Sequence, residues 1–180
     1  WVFMVTEVLM FGGLFVAYGI FRGLYTDMFF EAHKYLAVNL GALNTVVLIV
    51  SSLTMALAVS ATQRGQRDRA ILLLVATFVL AGCFLVVKYF EYTHKFHEGL
   101  LPGGYFTNTH IQHPKASLFF SIYFMMTGLH GVHILIGMGL IAWLIKRTAK
   151  REVGPNYYTP VELVGFYWHF VDVVWIYLFP

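Results

Sequence analysis

Residues 116–145 read ASLFFSIYFMMTGLHGVHILIGMGLIAWLI, a run without any lysine, arginine, aspartate or glutamate. About 20 apolar residues are enough for an α-helix to cross the hydrocarbon core of a bilayer. The segment must be helical in lipid, because an unpaired backbone amide there costs several kcal/mol. The run therefore predicts a membrane-spanning helix, long enough to tilt or to project among the lipid headgroups.

Four further stretches, residues 1–21, 36–63, 70–87 and 163–179, have the same character, each with at most one charged residue. Together the five stretches predict helices over residues 1–24, 36–63, 69–93, 116–147 and 161–179. The whole chain of 180 residues is 59% hydrophobic and 12% charged, whereas about a quarter of a soluble domain is charged. We therefore predict an all-α, integral membrane bundle of five transmembrane helices that forms a single domain.

The charged residues and the cysteine content exclude several classes of function. The net charge is only +3 and no block of like charges occurs, so nucleic acid is not an expected partner. The one cysteine, Cys83, lies in an apolar stretch, so neither an internal disulfide nor a cysteine-based metal motif is expected. No charged region precedes the first apolar stretch, and a signal peptide is not expected.

Lysine and arginine alternate between the connections in a way that predicts topology. Residues 63–69 contain three arginines, and residues 146–160 contain two lysines and two arginines. The other two connections hold fewer basic residues for their length. The positive-inside rule then places the N-terminus inside and the C-terminus outside.

Glu7 is the one charged residue of the first apolar stretch. A carboxylate inside a membrane helix is costly unless it faces protein, water or a partner. Two interpretations stay open on residue type alone. Glu7 is either a proton-handling group or polar anchor for a neighbour, or it makes a structural hydrogen bond inside the bundle.

Two polar pairs with i, i+3 spacing lie deep in the last two predicted helices. His130 and His133 form one pair, and His169 and Asp172 form the other. Each pair shares a helix face, and their depths place both near the bilayer midplane, so we expect them to meet on adjacent antiparallel helices. A metal site, a proton relay and an interhelical hydrogen-bond network are the three interpretations. We favour the hydrogen-bond network and predict no metal ligands.

Other polar residues have simpler expected roles. Lys88 and Glu91 are predicted to form an i, i+3 ion pair at the outer end of the third helix, with snorkelling side chains. Histidines crowd the connection 94–115, where spacing alone is weak support for zinc capture. A polar side on the second helix suits packing within the bundle. Its residues are Asn39, Asn44, Thr45, Ser51, Ser52 and Thr54.

Five segments resemble, in the same order, the subunit III family of haem–copper cytochrome c and quinol oxidases. They are MVTEVLMF (4–11), LNT with SSLT (43–45 and 51–54), KYFEY (88–92), TGLHGVH (127–133) and YWHFVDVVW (167–175). The last two segments are the most specific, and the matches span the whole chain.

The resemblance implies a non-redox accessory subunit of a proton-pumping terminal oxidase. Subunit I would be the direct partner, with subunit II and other respiratory chains nearby. Haem and copper are expected in partner subunits and no cofactor in this chain, which has no catalytic residue but can hold phospholipid. Glu7 matches the family's intramembrane glutamate near the proton-uptake side. His130, His133, His169 and Asp172 match polar positions inside the bundle, with packing or lipid-cleft roles.

The chain departs from the longer members of that family, which have seven helices and hold phospholipid in a cleft beside the two N-terminal ones. The five-helix form is commoner in prokaryotes, so a bacterial plasma membrane is the expected location. Two alternatives are a subunit III-like accessory protein of nitric oxide reductase and an independent histidine-rich metal-binding membrane enzyme.

Overall fold

The computed structural model describes residues 2–26, 38–97 and 116–178. Within these ranges the regular secondary structure is helical apart from an isolated bridge between Gly154 and Tyr157. The helices are α1 (Val2–Leu24), α2 (Val38–Gln63), α3 (Arg67–His97), α4 (Ala116–Ala149) and α5 (Thr159–Leu178). Each contains a span long and apolar enough to cross a membrane. The predicted all-α class with five transmembrane helices is confirmed; the orientation and the single domain stay predictions.

Two helices begin two residues earlier than expected, and their first turns contain polar residues or proline. α3 begins at Arg67 rather than residue 69, and Asp68 places a negative charge in its first turn, where the helix dipole favours it. α5 begins at Thr159 rather than residue 161. Its first turn accommodates Pro160, whose missing N–H is not needed there. Hydropathy alone misses both starts, because these first turns are polar.

The chain divides into two compact units. The first unit comprises Trp1–Leu40 and Lys88–Leu129, and the second comprises Gly41–Val87 and His130–Pro180. Within α1 only 6% of the most apolar window is buried, compared with 50% in α5. Most of the α1 surface is thus exposed and apolar, as suits contact with lipid or another membrane chain.

The core of the second unit is built around Trp168, which is fully buried. A Cβ atom added to Gly137 of α4 would lie 2.7 Å from the Trp168 ring, so this position requires glycine for the ring to fit. Leu48, Met55 and Ile134 are also fully or almost fully buried in the same core. The close approach of ring and glycine sets how α5 packs against α4.

The α2–α3 turn and the end of α4 are linked in the second unit. Gly65 has a φ of 72°, a left-handed conformation that glycine adopts without steric cost. The Arg67 side chain donates hydrogen bonds to the carbonyls of Thr148 (3.2 Å) and Ala149 (2.5 Å). A cation at the last carbonyls of a helix satisfies groups that have no intrahelical donor.

Candidate functional site

Glu7 lies near the start of α1, about 7.5 Å along the helix axis from Val2 at 1.5 Å per residue. Its side chain is half-buried. The neighbouring Thr6 hydroxyl donates a hydrogen bond of 2.7 Å to the Phe3 carbonyl, so this hydroxyl has its partner within the same helix. The proton-handling and the structural interpretations of Glu7 both stay predictions.

A charged cluster of Lys88, Glu91 and Tyr123 lies in the first unit. The Lys88 Nζ atom is 2.7 Å from Oε2 of Glu91. The Tyr123 hydroxyl donates to the other carboxylate oxygen at 2.5 Å, and Lys88 also donates to that hydroxyl at 3.3 Å. These hydrogen bonds connect both charges of α3 to α4.

The expectation that Lys88 and Glu91 snorkel is wrong. Their side chains are only 12% and 6% exposed, so both charged ends are buried in the protein. The physical reason is Tyr123 on another helix, which supplies a partner to both groups and removes the need for water. Beside the cluster, the hydroxyls of Tyr92 and Thr127 share a hydrogen bond of 2.5 Å, which adds a second α3–α4 link.

In the second unit α2 and α5 are joined by three side-chain hydrogen bonds, here called the α2–α5 seam. The pairs are Trp175 Nε1 donating to Thr45 Oγ1 (3.1 Å), Trp168 Nε1 donating to Ser51 Oγ (2.7 Å), and Ser52 Oγ with His169 Nδ1 (2.5 Å). Each hydroxyl of α2 thus meets a ring nitrogen of α5. The polar side of α2, which is predicted to pack within the bundle, thus has three hydrogen-bond partners on α5. Each of these bonds contributes about 1 kcal/mol to the stability of the helix pair.

His130 and His133 have surroundings different from those of His169. The His130 ring is 1% exposed and packs against aromatic rings, with centroids 5.2 Å from Trp175 and 5.8 Å from Phe84. At His133 the backbone carbonyl accepts a hydrogen bond of 3.0 Å from the Tyr167 hydroxyl. His130 therefore participates in an aromatic core that joins α3, α4 and α5, and the His133 backbone adds a link between α4 and α5.

The predicted residues of α4 and α5 have different neighbours in the second unit. His169 and Asp172 face α2, whereas His130 is enclosed by Phe84 and Trp175. Among the described residues, no three histidine, cysteine, aspartate or glutamate side chains are grouped so that they could hold a metal ion. The meeting of the two pairs stays a prediction.

A groove of about 370 Å³ lies between α2 and α5 and contains the Asp172 side chain. The α2 wall includes Thr45, Ile49, Ser52 and Ala56, whose i, i+4, i+7 and i+11 spacing places them on one helix face. The α5 wall includes His169, Asp172, Val173 and Ile176. Both walls are mainly apolar, with polar atoms gathered around Ser52, His169 and Asp172.

Asp172 is the least satisfied polar group in this groove. The side chain is 5% exposed, and Ser52 is the group that interacts with its carboxyl. Neither carboxyl oxygen, however, makes a hydrogen bond of ordinary geometry to the residues that the structure describes. A buried polar atom left this way costs about 1–3 kcal/mol, which makes Asp172 a candidate for contact with a bound molecule.

Several of these features were not assigned individually from the sequence. Tyr123, Trp168 and Tyr167 were not singled out as hydrogen-bonding residues, although a buried tryptophan N–H or tyrosine O–H normally has a partner. Their location in apolar runs that also contain histidine or charged residues is the signal that could have identified them. Of the histidines in the zinc-capture suggestion, the structure describes the side chain of His94, whereas those of His97, His110 and His113 lie outside what it describes, as does the side chain of Asn39.

Comparison with known proteins gives a consistent match over the whole chain. Residues 1–180 match the family model described as cytochrome c oxidase subunit III. A quinol oxidase subunit 3 from Bacillus spizizenii is 30% identical, over 99% of this chain and 81% of the relative. A cytochrome c oxidase subunit 3 from Corynebacterium diphtheriae is 33% identical, over 99% and 82%.

A cytochrome bo(3) ubiquinol oxidase subunit 3 from Pseudomonas putida is 26% identical to this chain, over 99% of it and 80% of the relative. The similarity thus extends to proteins named for both quinol and cytochrome c oxidases, all from bacteria.

Proposed function

The chain belongs to the cytochrome c oxidase subunit III family, and on that premise we propose that it is the non-redox accessory subunit of a proton-pumping haem–copper terminal oxidase. The observation that carries the proposal is the family match over residues 1–180. Five membrane-spanning helices and bacterial relatives make it a multi-pass protein of a bacterial plasma membrane.

The role of the chain is to support an oxygen-reducing partner in respiratory electron transport. Haem and copper reside in other subunits of such oxidases, and the described residues of this chain offer no three-ligand metal site. This favours the accessory role over an independent metal enzyme built on His130, His133, His169 and Asp172. The relatives named above serve oxidases, which favours an oxidase over a nitric oxide reductase as the complex.

We propose direct contact with the catalytic subunit I, with subunit II and other respiratory chains in the same complex. The exposed apolar surface of α1 supports a neighbouring membrane chain or bound phospholipid, because so little of that helix is buried within this chain. The positive-inside rule puts the arginine-rich α2–α3 turn in the cytoplasm, with the N-terminus inside and the C-terminus outside.

Within the chain, the polar residues have two proposed roles. The α2–α5 seam and the aromatic core around His130 and His133 hold the second unit together, and the Lys88–Glu91 pair does so in the first unit. Glu7 supports proton uptake by the partner. Its half-buried carboxyl on a largely exposed helix supports this role, because a carboxyl that reaches the helix surface can exchange protons with water or with a neighbour.

The test compares the purified oxidase carrying Glu7→Ala with the unaltered enzyme. Slower proton uptake, or fewer turnovers before inactivation, is the expected result, with haem content unchanged because the haems are in other chains. Proton uptake is followed with a pH-sensitive dye, and haem content by the visible spectrum. Thr6→Ala is the matched control, since its hydroxyl donates to the Phe3 carbonyl in the adjacent turn.

Glu7→Gln separates a proton role from a packing role, because the amide keeps the shape and hydrogen bonds but cannot exchange a proton at neutral pH. A Gln variant that behaves like Ala supports the proton role. If proton uptake, pumping and working life in both variants equal those of the unaltered enzyme, Glu7 has no role in proton uptake.

A further inference from the structure

We propose that the groove between α2 and α5 binds a mainly apolar ring molecule that carries carbonyl or hydroxyl oxygens, of the quinone or quinol class, through Asp172 and His169. The inference relies on the proposed function only in placing the chain in a bilayer. It goes beyond that function, since neither proton support at Glu7 nor packing by the seam requires a ligand here.

The shape and lining of the groove suit a small apolar molecule. Its volume of about 370 Å³ falls within the range of about 300–1,000 Å³ that is usual for small-molecule sites. Most lining side chains are aliphatic, which matches a ring and the first part of an apolar tail. The aliphatic lining residues are Leu48, Ile49, Leu53, Ala56, Val173 and Ile176.

Two hydrogen-bonding groups on the α5 wall define the polar end of the site. Asp172 is 5% exposed, and its carboxyl, which interacts with Ser52, makes no hydrogen bond of ordinary geometry to the described residues. His169 uses Nδ1 for Ser52 at 2.5 Å, which leaves the opposite ring nitrogen, Nε2, for another contact. With i, i+3 spacing the two side chains start about 5–6 Å apart. Together they can engage one ring oxygen or two neighbouring ones.

The depth and charge of the groove exclude a phosphate-bearing headgroup as the preferred occupant. Ser52 is about 21 Å from the Val38 end of α2 and about 17 Å from its Gln63 end, so the polar atoms lie inside the hydrocarbon core. No lysine or arginine lines the groove, whereas phosphate recognition normally requires such a cation. The remaining class is a bilayer-soluble molecule with uncharged oxygens.

The experiment uses the complete oxidase complex in nanodiscs and a photoreactive azido analogue of a short-chain ubiquinone. After illumination, labelled peptides are identified by mass spectrometry. We expect label on peptides from α2 or α5, and we expect unlabelled decylubiquinone to prevent it. Label elsewhere in this chain, or label that the unlabelled quinone leaves unchanged, would overturn the proposal.

Variants on the two walls test the geometry. Ala56→Phe fills the groove from an exposed position and should abolish labelling, whereas Leu57→Phe is the matched control on α2 beside the groove. Asp172→Leu removes the hydrogen bond and should lower labelling about tenfold, the change expected for about 1.4 kcal/mol. Asp172→Asn keeps a donor and an acceptor and should retain most of the labelling.

Competition experiments identify which class of molecule occupies the groove. Protection by decylubiquinone, with none from an equal excess of phospholipid or free fatty acid, supports a quinone-class ligand. Equal protection by lipid or fatty acid would show an acyl-chain site and overturn the assignment. Because presence of this chain in the complex and haem content are measured for every variant, a failed subunit interaction is distinguished from a failed ligand site.

Discussion

The charged cluster of the first unit and the α2–α5 seam of the second unit place polar side chains in apolar helices in different ways. Lys88, Glu91 and Tyr123 form one interconnected group that contains two opposite charges. The seam consists of three separate pairs, each a hydroxyl with a ring nitrogen. Removal of one partner therefore has different consequences in the two regions.

In the charged cluster each member depends on the others. A buried ion pair contributes little net stability, since desolvation offsets the attraction, yet loss of one partner leaves a buried charge. In the seam a single deletion leaves only one neutral group without its partner, and the other two pairs remain. The comparison predicts large, non-additive effects in the first region and small, nearly additive effects in the second.

The largest expected effect is that of Glu91→Gln in the charged cluster. The change removes the negative charge 2.7 Å from the Lys88 ammonium, so unfolding free energy should fall by about 3–5 kcal/mol. Unfolding is followed by fluorescence in mixed micelles with increasing SDS. The double variant Lys88→Met with Glu91→Gln should recover most of the loss, and a double variant no more stable than the single one would contradict this view of the cluster.

A smaller effect is expected in the seam. Ser51→Ala removes the acceptor of the buried Trp168 N–H, and Thr45→Val removes that of Trp175. Each change should lower the unfolding free energy by about 0.6–1.7 kcal/mol, the scale of hydrogen bonds between membrane helices. The same SDS titration measures both variants and their combination. A combined loss far from the sum of the single losses would show that the seam is one network.

The smallest effect belongs to the exposed pair at the end of α4, where Arg147 Nε lies 2.7 Å from Glu152. The hydrogen bond from Arg147 lowers the pKa of the Glu152 carboxyl below its ordinary value of 4.5. A lowered pKa stabilises the folded chain at pH above 4.5, and this contribution is lost as the pH falls through the folded-state pKa.

Glu152→Gln should therefore leave unfolding almost unchanged, because exposed pairs are weak. Its effect should shrink further as the pH is lowered below 4.5 and in high salt. An effect of Glu152→Gln that equals the effect of Glu91→Gln, or that grows in acid, would contradict the assignment of Glu152 as a solvent-screened partner.

The five helices could be predicted because a helix that crosses a bilayer needs about 20 consecutive, mainly apolar residues. Uncharged runs such as 116–145 are visible without any knowledge of contacts, and a helix is the only way for each to satisfy its backbone in lipid. The first turns of α3 and α5 were missed because they are polar or contain proline, so hydropathy alone does not show where these helices begin.

The residues that the polar side chains contact were harder to predict than the helix faces on which those side chains lie. An i, i+3 spacing shows that His169 and Asp172 share a face, but the neighbour that this face meets depends on the rotation of α5. That rotation is set by Trp168, which lies against Gly137 and directs His169 toward Ser52. The burial of Lys88 and Glu91 likewise depends on Tyr123, which is contributed by α4.

The accessory-subunit role is tested most directly by purifying the complex from membranes in mild detergent through a tag on this chain. Mass spectrometry then identifies the accompanying chains, and a visible spectrum measures the haem in the complex. We predict one copy of this chain per set of haem-containing oxidase subunits and no haem on this chain after dissociation. Recovery of the chain alone with its own bound metal would contradict it.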